Sequence, residues 1–122
     1  MDNKSVTDLS YLREIAMGDD SIVIETTEAF LKDTPTALEN IQKHYESEEW
    51  QQLSKQAHKI KPNLKYMGME HAHELVLKIE EQAKSGQISD DLGEKISEFC
   101  SLCHQALDEL SDKVEELKAE HP

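Results

Sequence analysis

The sequence predicts an all-α protein: an antiparallel four-helix bundle with a short additional N-terminal helix. Three observations carry this. Apolar residues recur at gaps of three and four through most of the 122-residue chain. Glycine and proline are scarce, at four and three residues, so long helices meet few breakers. Clusters of β-branched residues with alternating polarity are absent, which removes the signal for a sheet. Long amphipathic helices with short connections bury their stripes best in an antiparallel bundle.

The elements follow in order. Leu9, Leu12, Ile15 and Ala16 predict a short first helix that Gly18 ends. Asp19 or Asp20 then caps a second helix with the stripe Val23, Thr27, Phe30, Thr34, Ala37, Ile41 and Tyr45. Pro35 falls inside it, but the stripe stays in phase, so a kink is expected rather than a break. Ser47 is the expected cap of a third helix, with Glu48 and Glu49 in its first turn. Its seam is Trp50, Leu53, Ala57, Ile60, Leu64 and Met67, and Gly68 ends it. A fourth helix is expected from about Glu70 to Ser85, with Ala72, Val76, Ile79 and Ala83 inward and Gly86 as terminator. Ser89 or Asp90 opens the last and longest helix. Its inward set is Leu92, Ile96, Phe99, Cys100, Cys103, Leu107, Leu110, Val114 and Leu117, and Glu120-His121-Pro122 is expected to fray.

Composition narrows the function classes. The length fits one domain, residues 1–122, with a core of its own. Thirteen basic against 26 acidic residues leave a net charge of −13. That balance argues against sequence-blind binding to nucleic acid or to anionic lipid, since both need a basic surplus. No apolar run reaches the roughly 18–20 residues that span a bilayer. Met1-Asp2-Asn3-Lys4-Ser5 does not read as a signal peptide. Two cysteines make no disulfide framework. A cytoplasmic, monomeric protein is expected, and no Gly-rich phosphate loop is present.

One segment stands apart in charge. Residues 50–69 contain Lys55, Lys59, Lys61 and Lys65 and no acidic residue, so all 26 acidic side chains lie elsewhere. A basic island in an acidic chain suits a negatively charged partner, although charge runs are usually solvated faces. Ser54, His58, Lys61 and Lys65 are spaced four, three and four, which places them on one helix face beside the seam. His58 directly follows the inward Ala57. A neutral imidazole is a good nucleophile near neutral pH, and an ammonium one turn away can neutralise oxygens of a transferred phosphoryl group.

The stretch Ala57-His58-Lys59-Ile60-Lys61-Pro62-Asn63-Leu64-Lys65-Tyr66-Met67-Gly68 resembles the signature of histidine-containing phosphotransfer (HPt) domains. His58, Ile60, Lys61, Met67 and Gly68 match that pattern. Gly18-Asp19-Asp20, Phe30-Leu31-x-x-Thr34-Pro35 and Ile79-Glu80 match on the flanks. The resemblance covers about residues 8 to 86, and a long last helix over 89–118 stands where that fold needs one.

The resemblance implies a stoichiometric phosphocarrier and not a turnover enzyme. His58 would take a phosphoryl group from a receiver-domain aspartyl phosphate and pass it to another receiver in a multistep phosphorelay. Lys61 would stabilise the phosphoryl oxygens. Lys55, Lys59, Lys65, Ser54, Pro62, Gly68 and Glu80 would belong to the docking face, with Gly68 also permitting the turn after the helix and Glu80 lying near the imidazole. The implied partners are response-regulator receiver domains and a hybrid sensor histidine kinase. Mg²⁺ would belong to the receiver, and no cofactor or metal is expected on this chain. Pro62 departs from the family, which often has Gly there. It removes the amide that would bond the His58 carbonyl, and a bend beside His58 is expected.

Two other readings compete. Cys100-Ser101-Leu102-Cys103-His104 spells the C-x-x-C-H sequence of c-type haem attachment, found on the last helix of bundles resembling cytochromes c′. Against it, both cysteines fall on the inward stripe, where free Cys is an ordinary small apolar residue. A helical adaptor without phosphorylation is the other. His71 and His73, two apart, diverge on a helix and do not chelate one metal readily.

Overall fold

The computed structural model describes residues 5–121. It contains α1 (Ser10–Ile15), α2 (Asp20–Glu46), α3 (Trp50–Tyr66), α4 (Glu70–Ser85) and α5 (Leu92–Glu120). The four long helices pack antiparallel in a ring: α2 against α3, α3 against α4, α4 against α5, and α5 back against α2. The short α1 leans on α2. No described helix is long and apolar enough to cross a membrane.

The predicted stripes form the core. Val23, Ile41, Leu53, Ala57, Leu64, Val76, Ile79, Phe99 and Cys103 are fully buried. Each Leu, Ile, Val or Phe buried this way contributes on the order of 1.5–3 kcal/mol. Several positions differ from expectation. Leu38 takes the buried place in α2, and Ala37 beside it is half-buried. Ile15 is exposed, because the inward face of this segment is centred on Leu9, Leu12 and Ala16 and Ile15 falls to one side of it. In α5, Ala106 is buried and Leu107 half-buried.

The corner between α2 and α3 is built differently from the expected cap. Ser47 closes α2; it does not open α3. The Glu48 amide bonds the Tyr45 carbonyl and the Glu49 amide bonds the His44 carbonyl, with Glu48 left-handed at φ 54°. This is a Schellman end, and α3 starts at Trp50 with Glu49 at its cap position and no side-chain cap. Asp19 does cap α2, accepting from the Ser21 amide. Neither Ser89 nor Asp90 holds the cap position of α5; Asp91 does, without a side-chain cap bond. The end of α5 is regular through Glu120, and His121 pairs with Asp20 at 2.7 Å. Pro122 lies outside the described residues.

Prolines 35 and 62 leave their helices unbroken: α2 runs through Pro35 and α3 through Pro62. Both are exposed. Gly68 ends α3 at φ 67°, with its amide on the Lys65 carbonyl and the Met69 amide on that of Leu64. The N-terminal segment crosses this corner. The Asp8 amide bonds the Met67 carbonyl at 2.9 Å, and a Cβ at Gly68 would lie 2.2 Å from the Asp8 carbonyl oxygen. Only glycine satisfies both the dihedral angle and the close approach.

Candidate functional site

Each of three polar residues on α3 and α4 follows a buried apolar one. Ala57 precedes His58, Ile60 precedes Lys61, and Ile79 precedes Glu80, and those three apolar residues are at most 3% exposed. A helix turns about 100° per residue, so the next side chain emerges at the edge of the packed face. Edges of neighbouring helices meet. The α3 edge carrying His58 and Lys61 therefore faces the α4 edge carrying Glu80.

The Glu80 carboxylate binds both. One oxygen lies 2.7 Å from His58 Nδ1, and the other accepts from Lys61 Nζ at 2.9 Å. The Glu80 side chain is only 16% exposed, Lys61 is 25% exposed, and His58 is 70% exposed. Partial burial alone raises the Glu80 carboxyl. The hydrogen bonds from Lys61 and His58, with the positive charge they bring, outweigh it and hold Glu80 below the ordinary carboxylate value.

The consequence is directional. An ionised carboxylate only accepts hydrogen bonds. Nδ1 therefore donates, and the neutral ring carries its lone pair on Nε2. The exposed imidazole presents Nε2 to solvent, with an ammonium one turn away.

The remaining predicted residues divide. Lys55, Lys59, Pro62 and Lys65 are exposed on α3, and Ser54 is half-buried. Gln51, Lys55, His58, Pro62 and Lys65 recur at four, three, four and three, so they form the outer crest of the helix. Gly68 follows the C-terminal end of this crest, at the corner beneath Asp8, with its amide on the Lys65 carbonyl. Two features escaped the sequence reading. Tyr11 of α1 stacks on Tyr66, and Lys65 Nζ lies 5.6 Å from the Tyr11 ring centroid. Leu77 is exposed on α4, one turn before Glu80. Its signal was an apolar residue off the inward stripe, whereas nothing in the sequence links Tyr11 to Tyr66.

The rival motif sits elsewhere. Cys100 and Cys103 are both free and buried against the core. Burial, reinforced by the neighbouring Cys100, pushes the Cys103 thiol up to about 12. Burial also raises Cys100, against a weak contact from Gln42. Thiols so placed are core residues of low reactivity. His71 pairs with Glu98 across to α5, and His73 is half-buried on α4.

Fold and site together define a class: a helical bundle that displays one oriented imidazole on a basic helix. A family model of the Hpt domain matches residues 25–120, from within α2 through α5. The chain belongs to the Hpt domain family, whose members are phosphocarriers in phosphorelays. α1 and the Gly18-Asp19-Asp20 turn precede the matched region. No curated protein and no solved structure gives a significant match.

Proposed function

We propose that this chain is a single-domain, monomeric, cytoplasmic phosphocarrier of a multistep phosphorelay, phosphorylated on His58. It takes the phosphoryl group from an aspartyl phosphate on one receiver domain and gives it to another. Nε2 attacks phosphorus, the bond from phosphorus to the aspartyl oxygen breaks, and the carboxylate leaves as an anion. The proton on Nδ1 stays in place. The positive charge that develops on the ring is shared with Glu80, which already accepts from that nitrogen. Reversal of these steps charges the next receiver.

Lys61 supports the transferring group electrostatically. Its ammonium is held beside the ring by the second Glu80 oxygen, and a preorganised cation of this kind stabilises charge on transferring oxygens. Mg²⁺ belongs to the receiver. Lys55, Lys59 and Lys65 steer an acidic receiver pocket onto the crest, where Pro62 and Ser54 lie beside the imidazole. Gly68 acts indirectly, through the corner that sets α3 against α4.

The observation that carries this reading is the shared carboxylate. Glu80 orients His58 through one oxygen and holds Lys61 through the other, leaving Nε2 exposed. The test is direct. Receiver domains are charged with acetyl phosphate and Mg²⁺, mixed with the chain, and removed. Mass spectrometry then reads one added phosphoryl on His58 that acid removes and alkali spares. A panel of receivers and histidine kinases that leaves His58 unlabelled overturns the reading.

A further inference from the structure

Pro62 is a helix breaker kept inside a helix, one turn after the nucleophile. In an α-helix the amide of residue 62 bonds the carbonyl of residue 58. Proline has no amide hydrogen. α3 nevertheless continues through Pro62 to Tyr66, so the His58 carbonyl lacks its usual intrahelical donor. Nothing in the fold uses the proline ring, because Pro62 is exposed on the crest between His58 and Lys65. An unfavourable residue without a packing role, placed beside a site, is where local rules yield to function.

We infer that Pro62 is a positioning residue for docking: by withholding its amide it leaves the His58 carbonyl as an acceptor for a hydrogen-bond donor of the docked receiver. This rests on the phosphocarrier reading above. Any partner that reaches Nε2 must lie over the crest. It then covers the His58 backbone as well as its ring. A backbone amide or hydroxyl at the rim of the partner's phosphoryl-bearing pocket meets this acceptor directly. The bond ties the partner to the same residue it must react with, so register and chemistry share one anchor. A carbonyl whose donor is already supplied within the helix offers a weaker acceptor to a partner.

Pro35 supplies an internal control. It too is exposed and interior, in α2, where it removes the donor to Leu31. It lies on a different helix from the imidazole and off the basic crest.

The test compares Pro62→Ala, Pro62→Gly and Pro35→Ala with the parent. Rates of transfer from a charged receiver are measured over a range of receiver concentration. Direct labelling of His58 by phosphoramidate, which needs no partner, is measured beside them. Both Pro62 variants restore an amide at position 62. Each is expected to raise KM for the receiver about fivefold, the worth of one ordinary hydrogen bond, with kcat and phosphoramidate labelling unchanged. Pro35→Ala is expected to match the parent in all three. Parental KM in both Pro62 variants overturns the inference. So does altered phosphoramidate labelling, which would place the effect in the pose of the imidazole. A KM change in only one Pro62 variant assigns it to the added methyl group or to helix flexibility, since both variants lose the ring and restore the amide, and overturns it too. A parent that no receiver labels overturns the phosphocarrier reading itself.

Discussion

Two clusters in this molecule hold the same three kinds of group. On α3 and α4, Glu80 joins His58 and Lys61. Where the chain ends meet, Asp20 joins His121 at 2.7 Å and Arg13 at 3.6 Å. A histidine, a carboxylate and a cation therefore do not by themselves single out the proposed site. His58 and Glu80 lie well inside regular helices, each anchored by a buried neighbour. His121 follows the last turn of α5, and Asp20 stands in the first turn of α2. Surroundings differ as well. His58 and Lys61 of the first cluster sit on a helix without acidic residues, while the second cluster has Asp19 and Glu120 beside it. On the proposed reading, an anionic phosphoryl donor is drawn to the first and repelled from the second.

Substitutions can break this contrast. His58→Gln should abolish phosphoryl acceptance while far-ultraviolet circular dichroism stays unchanged, and His121→Gln should label like the parent. Labelling that survives the first and vanishes with the second would exchange the two clusters. Lys61→Ala should slow transfer about a hundredfold, as loss of one preorganised charge does, with little change in the thermal midpoint. Arg13→Ala should leave the transfer rate alone. Stopped-flow transfer from one receiver reads both.

Support for the first cluster can be probed through its corner. Gly68→Ala forces a side chain into a left-handed conformation and against the Asp8 carbonyl. It should cost about 2 kcal/mol or more in urea unfolding, with α3–α4 packing disturbed first. Full stability would mean that the N-terminal segment moves aside freely.

Glu80→Gln should lower transfer about tenfold, the lower end for an orienting partner. Nitrogen chemical shifts should show the proton on Nδ1 in the parent and a mixture of tautomers in the variant. An unchanged tautomer with an unchanged rate would remove Glu80 from the site.

The smallest effect concerns acid. Glu80 and Glu109 are both held below the ordinary carboxylate value of 4.5. Burial alone raises Glu109, but bonds from the Ser5 and Thr7 hydroxyls and the Val6 amide outweigh it. A carboxyl lowered by folding adds stability that is fully present above its unfolded value. That stability is lost as pH falls through the folded value. Unfolding free energy should therefore decline below about pH 4.5, and Glu109→Gln should flatten part of that decline. An equally steep acid limb in the variant would dismiss the Glu109 contribution.

Much of the site was legible in the chain because helix geometry is local. The spacing of His58, Lys61 and Lys65 settles which face they share, and the buried Ala57 and Ile60 settle how that face is turned. The α3 terminus was legible for the same reason, since Gly68 suits a left-handed stop. The α2 terminus was not. Glu48 adopts φ 54° without being glycine, and its turn is held by backbone bonds to His44 and Tyr45 that no side chain announces. A serine followed by two glutamates looked like a helix start and is a helix end.

Sequence by itself determined the helices, their inward stripes and the basic crest around His58, because period and charge are properties of neighbouring residues. It also determined the family, through a motif carried on one helix and the turn that ends it. Only the tertiary structure decided that Glu80, 22 positions beyond His58, places one oxygen on the imidazole and the other on Lys61. It also decided that Asp8 closes over Gly68 and that Tyr11 stacks on Tyr66. Those contacts depend on how two helix surfaces meet, and a difference of one rotamer or a few degrees of helix rotation would separate the oxygens from their donors. Local propensity does not specify that; dense packing of Ala57, Ile60 and Ile79 in a common core does.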